Sequence, residues 1–425
     1  MINDHALRRF EPLGKHLLKP IYDDYSFGNI PATVHRLLTG ETTGALIPPD
    51  AFGGSYPSPE KVVLVFVDSF GWQFWQRYLD RFETLRRVAS DGILTPISAL
   101  FPSTTSASVT TLNLGVLPAV HGIYEWYMYV PAFGEVIQSL PFALPGQQPG
   151  SAATKGFGAA DLFAGTFETA HQRLTANGVK SFQIAHRSYA KSPYNIIASA
   201  GAEVVPYGTL AEGMVALDRL LSDVPGKAFI NFYWPGLDAA AHTYGPGTTE
   251  HDAEVIAFWS VLDQLLGRGA PRASNTLWLF TADHGHIRVP AEETIYVNHR
   301  WPALNDMLAQ SPTGETILPC GCPRDMFLHL RPERRDEAFS LLGEGLSDIA
   351  TVMMIDDAVS GGLFGEPGNV TAELRRRLGD VLVLPHLGHF VWWNAPGLLE
   401  NRLNGHHGGL TSEELITVLG VAGAL

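Results

Sequence analysis

The segment Lys61 to Asp68, KVVLVFVD, is a β-branched run with no polar interruption until its last residue. Such a strand must be covered on both faces, because alternate side chains point to opposite sides and neither set tolerates water. Comparable runs recur as GILTPISAL (92–100), VKSFQIAH (179–186), KAFINFYW (227–234), NTLWLFTAD (275–283) and DVLVLPH (380–386), separated by stretches of helical periodicity such as GMVALDRLLSDV. Strands alternating with helices predict an α/β fold built on a parallel sheet, in which ligands bind beyond the carboxyl ends of the strands. Polar residues that close an apolar run are therefore the first candidates for chemistry.

The chain has 425 residues, enough for two or three folding units. Hydrophobic residues at 45% and charged residues at 17% exclude a disordered chain. With 43 acidic against 29 basic residues the formal charge of -14 argues against a nucleic acid polymer as partner. A small anionic substrate stays open, since bound divalent cations reverse the sign of a carboxylate-rich pocket. The two cysteines, Cys320 and Cys322, supply no disulfide framework and fit a reducing compartment; as a Cys-x-Cys pair without a second pair, they read more simply as loop thiols than as metal ligands. The start, MINDHALRRFEPLGKHLLKP, lacks the apolar core and cleavage site of a secretory signal, and no stretch of about 18 apolar residues follows. The expectation is a cytoplasmic protein without membrane contact.

Residues 1–55 read as an N-terminal arm ending in the Gly/Pro-rich PPDAFGGSYPSPEK. Residues 56–286 are expected to form the first part of a catalytic α/β core, 287–380 an inserted cap, and 381–425 the last part of the core. Within the cap, DMFLHLR, ERRDEAFSLLGEGL and TVMMIDD suggest a small β-α-β unit. A second interruption, at about 130–160, is rich in Pro, Gly and Gln.

Chemistry-bearing residues gather at the ends of the runs. Asp68 closes the first; taken alone it reads equally as a helix N-cap. After the second run comes FPSTTSAS (101–108), a hydroxyl cluster opening a helix that stops at Gly115. Unpaired N–H groups and the positive dipole end there favour a phosphate oxygen, although a plain cap would use the same residues. KAFINFYW runs into Pro235-Gly236-Leu237-Asp238-Ala239-Ala240-Ala241-His242. Asp238 and His242 stand one helical turn apart, suiting two ligands of one ion or a simple hydrogen-bonded pair. Asp283 and His284 follow the next run, and Gly285 lets the chain turn so that both can face one metal. His286 reads as structural or supporting. In Gly405-His406-His407-Gly408-Gly409 one imidazole is expected to be a ligand; His386 and His389, among aromatics, read as packed against the core.

Taken in order, FVDSFGW, FPSTTSAS, PGLDAAAHTYGP, TADHG and GHHGG resemble the motif series of the type I phosphodiesterase/nucleotide pyrophosphatase branch of the alkaline phosphatase superfamily, spanning residues 61 to 410. The resemblance implies a three-layer sandwich with a mostly parallel central sheet and an inserted smaller α+β cap. It also implies two divalent metal ions, zinc in the family, with manganese or iron compatible with an all O and N donor set. Asp68, Thr105, Asp283 and His284 match the ligands of one metal, and Asp238, His242 and His407 those of the other. Thr105 matches the nucleophile, fourth in a Pro-x-x-Thr pattern counted from Pro102, and His407 is preferred to His406 because it directly precedes Gly408.

Two departures bear on substrate. The family's diesterases carry Thr-Phe-Pro-Asn at the nucleophile and an Asn shortly after a His-Gly-Ile segment; here Thr105 is followed by Ser106-Ala107-Ser108, and His121-Gly122-Ile123 by Tyr124-Glu125-Trp126. His121 reads as structural. The function implied is hydrolysis of a small phosphorylated substrate, a nucleotide among the candidates, by a phosphodiesterase or nucleotide pyrophosphatase acting through a phosphothreonine intermediate. Phosphomonoesterase, phosphonate hydrolase and phosphomutase are the alternatives on the same scaffold, and a non-catalytic phosphate-binding protein is the alternative outside it. A formylglycine sulfatase is disfavoured, because neither cysteine lies near residues 103–108. Trp126, Tyr127, Trp392 and Trp393 are candidates to stack on a base. The oligomeric state is not readable from the sequence.

Overall fold

The fold is that of a computed structural model, which describes residues 1–14, 16–267 and 275–423. Its centre is a seven-stranded sheet of β1 (Lys61–Val67), β2 (Ile93–Ser98), β3 (Lys180–His186), β4 (Glu203–Tyr207), β5 (Ala228–Trp234), β6 (Thr276–Thr281) and β7 (Ile416–Ala422), in the order β2-β7-β6-β1-β5-β3-β4. All pairings are parallel except those of β7, which runs antiparallel to both β2 and β6.

Every residue of β1 is buried. Val63, Val65 and Val67 pack on one face with Trp75, Phe258 and Trp259, while Val62, Leu64 and Phe66 pack on the other with Phe27, Ile30 and Leu38. Two covered faces leave no place for a polar residue, which is why the run shows no alternation. Pro96 sits within β2, an outermost strand of the sheet, where a missing N–H is tolerated.

The N-terminal arm is more regular than its composition suggests: Ile30–Thr39 is a helix that buries Ile30, Val34, Leu37 and Leu38 against the central sheet and ends at Gly40 in the left-handed conformation. The interruptions of the α/β rhythm meet in one place. A second, six-stranded antiparallel sheet is ordered Ala350–Met354, Val381–Pro385, Asp325–Leu328, Cys320–Cys322, Tyr127–Val130, Glu135–Gln138.

This differs from the sequence-based expectation in two respects. The strands at 325–328 and 350–354 are not neighbours but flank Val381–Pro385, which belongs here and not to the central sheet. The apolar run was ambiguous because both faces of this strand are covered too, Val381 and Val383 by one cluster and Leu382 and Leu384 by another. Among the described residues no helix is long and apolar enough to cross a membrane.

Candidate active site

β6, β1 and β5 lie side by side, and the segments that follow their carboxyl ends carry five of the seven motif residues. Asp68 directly follows β1. Asp283 and His284 lie in the turn after β6, and Asp238 and His242 on the helix Gly236–Tyr244 after β5. Thr105 begins the helix Thr105–Leu114 beyond β2, and His407 comes from the loop before β7.

The turns after β1 and β6 are pressed together. Ser69 takes a positive φ of 63° and donates its backbone N–H to Asp283 Oδ1 at 3.1 Å. A Cβ on Gly71 would come within 2.9 Å of Gly285 Cα, and one on Gly285 within 1.9 Å of the Glu413 carbonyl, so only glycine fits either turn.

All seven residues converge. His284 Nε2 lies 3.3 Å from Asp283 Oδ2, 3.5 Å from Asp68 Oδ1 and 3.2 Å from Thr105 Oγ1. Thr105 Oγ1 is 3.5 Å from both oxygens of Asp68. On the other side, Asp238 Oδ2 is 3.4 Å from His242 Nε2 and Asp238 Oδ1 is 3.7 Å from His407 Nε2. Asp68, Asp283 and His284 form one candidate ligand group, Asp238, His242 and His407 another, with donor atoms in each within 4.8 Å of one another. The stacked rings of His284 and His407, 3.5 Å between centroids, join the two halves.

Hydrogen bonding distinguishes the three adjacent hydroxyls. Thr104 is the helix N-cap, its hydroxyl accepting from the Ala107 N–H at 3.3 Å and donating to the Tyr124 carbonyl. Ser103 donates to the Gly409 carbonyl. Thr105 alone of the three turns its hydroxyl to the carboxylates and imidazoles.

The imidazoles are oriented by the main chain. Nδ1 of His284, His242 and His407 faces the carbonyl of Gly285, Gly405 and Ser103 at 2.9, 2.8 and 2.9 Å. A carbonyl only accepts, so each Nδ1 carries the proton, and in a neutral ring Nε2 presents its lone pair to the cluster. Nε2 of His242 and of His407 are then 3.2 Å apart with nothing but lone pairs between them. Asp238 Oδ1 and Asp283 Oδ2 have no hydrogen-bond partner, and among the described residues no lysine or arginine pairs with Asp68, Asp238 or Asp283. Buried carboxylates facing unprotonated nitrogens, without a basic side chain, are a donor set that fits divalent cations.

The electrostatics agree with that fit. Burial, then the neighbouring Asp283 and Asp238, push Asp68 well above the usual carboxylate range. Burial would also raise Asp238, but positive charge on His242, His286 and His407 around it, in the place a cation would take, holds it well below. His407 is pushed well below the usual imidazole range by burial and by His284.

The remaining histidines divide. His406 Nε2 is occupied by Asn401 Oδ1 at 2.8 Å. His121 sits between the Thr111 hydroxyl and the Ile123 N–H, and the carbonyls of His386 and His389 accept from Arg324. His286 stands nearer the chemistry than its reading as a supporting residue implies. It is buried, its Nδ1 is 3.4 Å from Asp238 Oδ1, both ring nitrogens lack a hydrogen-bond partner, and burial lowers it to about 4.

Sequence reasoning also missed Tyr233, whose hydroxyl donates to Asp68 Oδ2. The only signal was its place one residue before the end of an apolar strand, where a phenol reads as core. Where a carboxylate ligates a metal, holding it in one orientation is worth about 10–100-fold in metal affinity or activity. Tyr233→Phe is therefore expected to lower metal affinity or kcat/KM by that factor while kcat at saturating metal recovers, as measured by metal titration of activity.

The cluster opens into a cavity of about 910 Å³ whose lining includes Thr105, Trp126, Tyr127, Arg187, Lys191 and Trp392. Trp393, the fourth aromatic singled out in the sequence, is buried in the core under the second sheet and does not line it.

Residues 62–410 match the model of the family described as type I phosphodiesterase / nucleotide pyrophosphatase. No protein of curated function matches the sequence. Among solved structures, an inactive variant of mouse ectonucleotide pyrophosphatase / phosphodiesterase 5 in complex with AMP superposes with a TM-score of 0.62 at 15% identity, over 85% of this chain and 87% of that one. The human protein of the same name gives 0.60 at 17%, over 85% and 87%. Phosphonoacetate hydrolase from Sinorhizobium meliloti, in complex with phosphonoacetate, gives 0.60 at 17%, over 86% and 90%. These neighbours share the alkaline phosphatase-like fold.

Proposed function

We propose, because this chain belongs to the type I phosphodiesterase / nucleotide pyrophosphatase family and is a phosphoric ester hydrolase, that it cleaves a nucleotide-type phosphodiester or pyrophosphate through nucleophilic attack by Thr105. The observation that carries this reading is the position of Thr105 Oγ1 at a helix N-terminus, 3.2 Å from His284 Nε2 and open to the cavity.

A threonine hydroxyl is a weak nucleophile at neutral pH. Asp68, Thr105, Asp283 and His284 would hold one divalent cation and Asp238, His242 and His407 a second, zinc by family and manganese or iron by donor type. When bound, such cations stabilise the alkoxide and the charge on the transferring phosphoryl group.

The chain's own residues supply position. Thr104 and its cap fix the first helical turn, so the Thr105 Oγ is aimed without a rotamer search, and the helix's positive end faces the incoming phosphoryl oxygens. Attack forms the Thr105 Oγ–P bond and breaks the bond from phosphorus to the leaving oxygen, which takes up a proton. Water then cleaves the phosphothreonine, returns the hydroxyl and releases the phosphorylated product.

Trp126 and Tyr127 along the cavity offer flat apolar surface for a nucleobase, whereas Trp392 is packed in the core beneath it, and the AMP held by the mouse neighbour supports a ligand of that class. A second reading, phosphonate hydrolysis, draws on Arg187 and Lys191 in the same lining, which suit a substrate carrying a further anion. A panel of nucleotide diesters, pyrophosphates, monoesters and phosphonocarboxylates, assayed with zinc and with manganese, separates them. Diester or pyrophosphate turnover is expected to give the highest kcat/KM. Turnover confined to monoesters rejects the assignment, and turnover confined to phosphonates selects the second reading.

A further inference from the structure

Behind the His407 loop lies another group of donors that shares no residue with the seven. Glu125, at the foot of the second sheet, meets Cys322 and Asp325 from the hairpin between Cys320–Cys322 and Asp325–Leu328, and one donor atom of each lies within 4.8 Å of the others. Glu125 is 1% exposed and Asp325 0%.

Two buried carboxylates at that distance repel strongly and need either a shared proton or a cation. No protein cation meets the need. Arg324, next to Asp325 in the chain, is turned away. Its Nε and Nη2 bind Glu414 at 2.9 and 2.8 Å, and its remaining donors go to the carbonyls of Pro385, His386 and His389. Among the described residues neither Glu125 nor Asp325 forms an ion pair with lysine or arginine.

A shared proton is the state of the group without a cation, burial raising Glu125 to about 7 and burial with Glu125 raising Asp325 well above the usual carboxylate range, and it still leaves polar atoms unmatched. Asp325 Oδ2 is buried without a hydrogen-bond partner. Cys322 Sγ lies 2.9 Å from both Asp325 Oδ1 and the His407 carbonyl, two acceptors for which one S–H has a single proton. The cluster also has an open side, since Glu125 and Cys322 line the cavity that Thr105 faces.

We propose that Glu125, Cys322 and Asp325 bind a further divalent cation, of the borderline class that accepts a thiolate together with carboxylates: zinc, cobalt or ferrous iron. Magnesium and calcium prefer oxygen ligands alone, so the sulfur selects against them. Binding would deprotonate the thiol and release its proton.

The cation has a mechanical consequence for the neighbouring centre. A Cβ on Gly408 would stand 2.7 Å from Asp325 Oδ1 and 2.9 Å from Cys322 Sγ, so the loop carrying His407 rests directly on this group. Gathering the three donors on one ion fixes the surface against which that loop is set. Cys320 belongs to no such group.

The test uses the full-length protein, stripped of metal and reloaded with cobalt(II). The seven-residue centre offers only oxygen and nitrogen donors, so a near-ultraviolet sulfur-to-cobalt charge-transfer band reports on this group whether or not the other centre fills. The band is expected in the wild type and in Cys320→Ser. It is expected to vanish in Cys322→Ser, with one equivalent less cobalt bound by elemental analysis. Cobalt-loaded wild type without the band overturns the proposal, as does a band that survives in Cys322→Ser and is lost in Cys320→Ser. The wild-type spectrum decides even if a variant fails to fold.

Discussion

Thr105→Ala lowers kcat on the best substrate by at least about 10⁴-fold even at saturating metal, the scale of losing a catalytic nucleophile, while the protein stays folded. The separation of chemistry from stability rests on Thr104 being the cap. Among the described residues the Thr105 hydroxyl has hydrogen-bond contacts to Asp68 and His284 alone, so its removal leaves the helix terminus intact. Thr104→Ala provides the contrast, costing about 1 kcal/mol of stability through loss of the Ala107 N–H contact. Steady-state kinetics and thermal unfolding of the two variants read both quantities. If Thr105→Ala retains wild-type turnover, the nucleophile lies elsewhere.

Removing bound metal is expected to abolish hydrolysis and to weaken the fold together. Asp68 and Asp283 would then stay buried and Asp238 half-buried, with no lysine or arginine beside them among the described residues, and Nε2 of His242 and of His407 would face each other at 3.2 Å. A ligand present at a thousand times its dissociation constant stabilises by about 4 kcal/mol, and chelation withdraws a contribution of that order for each tightly held ion. Calorimetry before and after dialysis against a chelator should show a lower Tm, restored with activity by zinc or manganese. Metal-free protein with unchanged turnover and unchanged Tm removes the two-cation centre from the account.

The polar residues that terminate apolar strands were legible because a buried parallel strand excludes them until the chain leaves the sheet. Asp68 and the Asp283-His284 pair are of that kind, and Asp238 with His242 added a helical spacing that puts both on one face. The choice of Thr105 over Thr104 depended on a family pattern, since either hydroxyl suits a helix terminus; hydrogen-bond partners distinguish them.

Other features had no local signature. Val381–Pro385 is apolar on both sides in whichever sheet it joins, so periodicity could not say that it pairs with Asp325–Leu328 and Ala350–Met354. Tyr233, and the meeting of Glu125 with Cys322 and Asp325, arise from contacts between distant segments that no spacing rule encodes. His286 reads as structural or supporting because it lies closer to the cap, yet the turn at Gly285 brings its ring beside His242.

β7 enters the central sheet between β2 and β6, and the loop just before it carries His407. A chain leaving the ribosome therefore exposes Asp68, Thr105, Asp238 and Asp283 long before the strand that separates two of their supporting elements exists. The seven side chains can meet only once residues 405–422 are made, since His407 is the last of them in the chain.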